Sequence, residues 1–62
     1  MQIKLYDMDT MEYAGAIVVT DAGWEYRDVT NEHMMSVTRG MPFKAVIACL
    51  AWFNLVYDMI ED

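Results

Sequence analysis

Sixty-two residues with ten acids, four bases and one cysteine describe one small domain of formal charge −6. A domain of that size buries only about 60% of the surface its unfolded chain exposes, so it needs help from a disulfide, a metal or association. The lone Cys49 excludes an internal disulfide, no CxxC or HxxxH spacing offers zinc ligands, and 56% hydrophobic content argues against disorder. An acidic chain also makes a poor direct partner for nucleic acid.

Residues Gln2 to Tyr6 place Ile3 and Leu5 on one face, which predicts a first strand over about 2–6. Asp7-Met8-Asp9-Thr10 reads as a turn. A second strand is expected over about 12–20, where Ile17, Val18, Val19 and Thr20 supply β propensity. Gly15 within it marks a bulge or a close approach. Asp21-Ala22-Gly23 fits a three-residue hairpin loop with glycine in the left-handed position, leading to a third strand over about 24–29. Thr30 or Asn31 can cap a short helix over about 31–37, which Arg39 and Gly40 would end.

Pro42 stands where a first helical turn favours proline, and a long helix is expected over about 42–60. At about 100° per residue, its strongly polar residues Lys44, Asn54 and Asp58 share one narrow stripe with Ile47 and Ala51. The rest of its circumference is apolar, wider than the stripe of an ordinary surface helix. Val46, Cys49, Leu50, Phe53, Val56, Tyr57 and Ile60 are expected to pack on the sheet. Ala45, Ala48, Trp52, Leu55 and Met59 are expected to meet a partner, most simply a second copy across a two-fold axis. The architecture is therefore read as α+β: a three-stranded antiparallel sheet, a short helix, and a long C-terminal helix packed on the sheet.

A spanning helix over 41–60 is the competing reading. The uncharged run Ala45 to Tyr57 makes about 20 Å of helix against a hydrocarbon core of about 30 Å. A longer span must include Lys44, Asn54 and Asp58, so a membrane is disfavoured.

No constellation for catalysis stands out. Asp7-x-Asp9-x-x-Glu12 resembles part of a calcium loop, but the further ligands and the turn glycine are missing. His33, the single histidine, has Asn31 and Glu32 nearby but no placed nucleophile. Cys49 reads as a small hydrophobe. No phosphate loop, nucleophile elbow or dinucleotide fingerprint is present, so neither a cofactor nor an enzyme is expected.

Seven methionines remain above background, five of them at positions 8, 11, 34, 35 and 41, outside the expected long helix. Flexible thioethers fill gaps in small cores and also serve adaptable binding surfaces, which makes Met34 and Met35 candidate partner residues. The acids Asp7, Asp9, Glu12, Asp21, Glu25, Asp28 and Glu32 give the first half an acidic surface, with Asp58, Glu61 and Asp62 near the C-terminus.

These features suit an acidic protein-binding module acting stoichiometrically, as an inhibitor or accessory regulator, by analogy with small proteins that viruses and mobile elements encode. It is expected to form a homodimer through the C-terminal helix and to bind a second protein with a basic surface. Occupation of a basic groove by a nucleic-acid mimic is an alternative, which strong salt dependence would favour. The N-terminus has no basic and apolar leader pattern, and one cysteine on an apolar helix fits a reducing, cytoplasmic setting.

Overall fold

The computed structural model describes residues 1–60; Glu61 and Asp62 of the C-terminal acidic group lie outside the described residues. Four strands form one antiparallel sheet: β1 (Gln2–Asp7), β2 (Tyr13–Thr20), β3 (Gly23–Arg27) and β4 (Leu55–Ile60). Their spatial order is β3-β2-β1-β4. Between β3 and β4 the chain forms α1 (Glu32–Thr38), α2 (Phe43–Cys49) and a 3-10 turn (Leu50–Phe53).

The sheet is built by period-two alternation. Ile3 of β1 stands opposite Ile17 of β2, which stands opposite Tyr26 of β3, and these side chains share the face that the helices cover. Pairing shifts by one residue between Leu5 and Tyr6, since Leu5 is opposite Gly15 and Tyr6 is opposite Tyr13. Ala14 is the extra residue of this bulge. Gly15 has φ +120°, and a Cβ there would lie 2.6 Å from Val29 Cγ2. Glycine is therefore demanded both by backbone angle and by the passage of the segment after β3.

The β2–β3 loop is shorter than expected: Thr20 pairs with Gly23, leaving Asp21 and Ala22 as a two-residue connection. Asn31 caps α1, its side-chain oxygen accepting from Met34 N at 3.0 Å. Pro42 precedes α2, and its carbonyl accepts from Ala45 N and Val46 N.

The long helix over 42–60 does not exist. Regular α-helix stops at Cys49, the 3-10 turn tightens the chain through Phe53, and Asn54 adopts the left-handed conformation with φ 60° and ψ 39°. Asparagine tolerates that region because its short amide can bond locally. Here Asn54 Nδ2 donates to Asp9 Oδ2 at 2.8 Å, while Asn54 O accepts from Met8 N at 2.8 Å. The next six residues then pair along all of β1, Gln2 opposite Ile60 through Asp7 opposite Leu55. Without β4, half of the β1 backbone groups would face solvent, so tertiary pairing overrides the helical pattern. The architecture is α+β, but with four strands and two short helices.

This also explains the wide apolar arc. The one helical wheel over 42–60 covers what is a helix, a turn and a strand. Val46 and Leu50 do enter the core, together with Ile3, Leu5, Ile17 and Met34, whereas Val56, Tyr57 and Ile60 belong to β4. The polar stripe breaks up likewise: Asn54 is the pivot and Asp58 lies on β4 beside Lys4.

Polar groups tie the helical layer to the sheet. Thr38, 1% exposed, donates from Oγ1 to Met34 O at 2.7 Å and lies 2.7 Å from Tyr26 OH, which completes a chain from β3 into α1. Trp24 Nε1 donates to Met41 O at 2.6 Å, fixing the segment between the two helices. No helix among the described residues is long and apolar enough to cross a membrane, and the 41–60 segment that would have spanned one is a helix, a turn and a strand.

Candidate functional site

The outer side of the helical layer carries an apolar cleft of about 290 Å³ lined by His33, Val37, Cys49, Trp52 and Phe53. His33 and Val37 are four residues apart on α1 and so share a stripe, next to the stripe whose Met34 and Thr38 point into the core. Cys49 ends α2. The 3-10 turn places Leu50 inward at 1% exposure and Trp52 outward at 88%. The Phe53 ring meets the His33 imidazole edge-to-face with centroids 6.0 Å apart. Val37, at 45% exposure, extends the apolar surface across α1.

A second apolar groove of similar volume follows the free edge of β4, where Met8, Ile47, Ala51, Leu55 and Tyr57 line it. Tyr57 and Met59, on the helix-covered side of the sheet, remain 46% and 47% exposed, since the helical layer stops short of this strand.

The expected partner residues fall on different surfaces. Ala48 is exposed and Ala45 half-buried on α2, with Trp52 beyond them on the 3-10 turn. Leu55 is 8% exposed in the core, Met59 stands on β4, and Met34 is buried at 1%. Met35 is half-buried and lines a third cleft, with Trp24 and Arg39, between β3 and the end of α1. The helix face thought to unite Trp52, Leu55 and Met59 is broken at Asn54. Val37 and Phe53 line one apolar surface and the exposed Tyr57 the other, whereas the helical pattern assigns Phe53 and Tyr57 to the core face and gives Val37 no role. The alternation Leu55, Tyr57, Met59 against Val56, Asp58, Ile60 was the available signal.

The acids are spread over several elements. Asp7, Asp9 and Glu12 occupy the β1–β2 turn, and Asp28 follows β3 at the same end of the sheet, 3.5 Å from Tyr13 OH. Asp21 lies at the opposite end, Glu25 is exposed on β3, and Glu32 opens α1. Asp7 Oδ1 accepts from Asp9 N at 2.8 Å and Thr10 N at 3.0 Å, so the aspartates close a turn rather than surround a cation. Those backbone N–H groups, that of Thr10 foremost, hold the Asp7 carboxyl below its ordinary value. Partial burial, then the Asp28 carboxylate, pushes the Tyr13 phenol upward. Among the described residues, no group of three or more His, Cys, Asp or Glu side chains is placed to hold a metal ion.

The chain matches no protein-family model, no curated protein and no solved structure.

Proposed function

We propose that this protein acts by stoichiometric binding of another protein, as an inhibitor or accessory regulator, and that the cleft around Trp52 receives the partner. The observation that carries this reading is the 88% exposure of an indole on an ordered turn, beside Val37 and Phe53. A tryptophan buries about 150–250 Å² when covered, and such residues dominate binding energy when they reach the centre of an interface. The cleft gives His33 no carboxylate to orient it, which favours apolar contact over acid–base chemistry involving Cys49.

The charge of −6 suits a partner whose contact surface is bordered by basic residues. Such charge accelerates encounter more than it tightens the complex. The wide spacing of the acids, at both ends of the sheet and on α1, favours diffuse steering over a linear imitation of phosphates. A reducing intracellular setting belongs to the same reading and rests on the free, half-buried thiol of Cys49.

The test is affinity capture with the parent chain and with Trp52→Ala, followed by titration of each recovered protein against both. A specific partner should bind the parent at defined stoichiometry and lose about 30-fold in affinity with Trp52→Ala, as a central aromatic contact does. Equal binding by a normally folded Trp52→Ala chain refutes this surface.

A further inference from the structure

We infer that β4 is an exchangeable strand: the chain opens at Asn54, and β4 of each of two copies takes the β4 position beside β1 of the other.

The strand is attached for this. A single residue, Asn54, separates the 3-10 turn from β4, and it holds φ 60° and ψ 39° without being glycine. The chain before it is right-handed: Cys49 has φ −89° and ψ −9°, and Leu50, at φ −59° and ψ −38°, already has the angles of an α-helix. Residues 50–53 contain no glycine or proline, and Leu50 and Ala51 are strong helix formers. Once Asn54 φ turns negative, α2 can run on through the 3-10 turn while β4 swings away from its own sheet. Short connections under strain invite exchange of the element they carry.

A second copy is the occupant that fits the vacated place. β4 is the last described element, lies at the edge of the sheet and pairs with β1 alone, from Gln2 opposite Ile60 to Asp7 opposite Leu55. Its departure leaves the β1 backbone unpaired on one side and takes Leu55, 8% exposed, out of the core. The β4 of another copy restores both. It also brings back the bonds from Asn54 Nδ2 to Asp9 Oδ2 and from Met8 N to Asn54 O. The Asn54 amide and carbonyl lie on the β4 side of its N–Cα bond, so rotation about that bond carries them with the strand.

Every contact between β1 and β4 is thus repeated between copies, and exchange adds no charge pair there that the single chain lacks. What is new lies at the crossing of the two chains. It sits at the Asp7 end of β1, beside the turn that carries Asp9 and Glu12, so two acidic turns approach. Salt shortens the reach of their repulsion, to about 3 Å at 1 M, and favours the exchanged form. The exchange needs no occupant in the cleft around Trp52.

Refolding from urea at about 500 μM, above the micromolar range of ordinary specific pairs, in about 1 M sodium chloride, followed by size-exclusion chromatography with light scattering, is the test. The parent should give a second species of twice its 7.2 kDa chain mass. Glycine rests in the left-handed region at little cost and a β-branched residue does not. Asn54→Val should therefore raise the dimerisation constant at least about 30-fold over Asn54→Gly, since two hinges relax per dimer. Exchange itself is read from a chain carrying Lys4→Cys, Asp58→Cys and Cys49→Ser, because positions 4 and 58 stand opposite across β1 and β4. Oxidised and then denatured, its monomer peak should remain single chains and its dimer peak should run as two joined chains. A parent that refolds wholly as monomer overturns the inference. So does a dimer peak that falls apart into single chains when denatured, which marks pairing without exchange, or equal dimerisation by folded Asn54→Gly and Asn54→Val chains. Should Asn54→Val fail to fold, the parent replaces it in the comparison and should dimerise more than Asn54→Gly.

Discussion

Replacing Gly15 with alanine should remove a large share of the protein's stability, whereas the same change at Gly23 should cost only about half as much. Both glycines occupy the left-handed half of backbone space, at φ +120° and +126°, so the conformational penalty is similar, about 1–3 kcal/mol. They differ in what surrounds the new methyl. At Gly15 it meets Val29 Cγ2 at 2.6 Å, Arg27 O at 3.0 Å and Val29 N at 3.1 Å; at Gly23 there is nothing within 4 Å. Two of the three obstacles at Gly15 are backbone atoms that cannot rotate aside, and forced overpacking adds about 1–3 kcal/mol. The total, about 4 kcal/mol, compares with roughly 3–9 kcal/mol of stability for a chain of this size. Urea unfolding followed by tryptophan fluorescence measures both variants. Equal losses at the two positions would refute the argument that the crossing at Val29, rather than φ, makes Gly15 irreplaceable. Adding Val29→Ala to Gly15→Ala should recover part of the loss, leaving the Arg27 carbonyl contact.

Two further expectations follow from the polar groups at the pivot and in the core. Asn54→Ala loses both the left-handed preference and the bond to Asp9, and should cost about 1–2 kcal/mol, or a fall in Tm of roughly 4–16 °C. Asn54→Gly keeps the backbone freedom and should lie nearer the parent; equal melting of the two variants would count against the conformational argument. Burial holds the Tyr26 phenol above its ordinary value of 10.0, with proximity to Cys49 adding to the shift and the Thr38 hydrogen bond opposing it. The native state therefore retains the proton more strongly than the unfolded chain, so this contribution is complete below about pH 10 and is lost as pH rises through the higher folded value. Tyr26→Phe should flatten the alkaline limb of a stability–pH curve, with Tyr13 retaining some slope, and an unchanged limb would refute the assignment.

The first half of the fold was legible because its signals are local. Alternation at Ile3 and Leu5, the β-branched run at 17–20, and an asparagine at the start of α1 each act within a few residues. The second half was not legible for a physical reason. Residues 43–60 contain no glycine or proline, and their spacing fits a helix well enough that only a long-range fact overturns it. That fact is the unpaired side of β1, about fifty residues earlier, which needs a strand. Asn54 was read as a polar residue on a helix when its side chain and φ make it the end of one. The expected partner face rests on the same helical spacing: Trp52 is exposed on the 3-10 turn, but the periodicity that ties Leu55 and Met59 to it stops at Asn54.

The central place of β1 has a consequence for how the chain must fold. β1 has β2 beside it early, through a local turn, but its other neighbour is β4, whose pairing of Gln2 with Ile60 joins the two ends of the described chain. Closing that loop restricts more chain than any other strand pairing in the sheet, and non-local contacts of this kind slow folding. Until it closes, Ile3 and Leu5 have only part of their cover, and β1 itself is an open edge. The final six described residues therefore act as a clasp, and a chain in which they are undocked presents β1 as an open edge to misassociation.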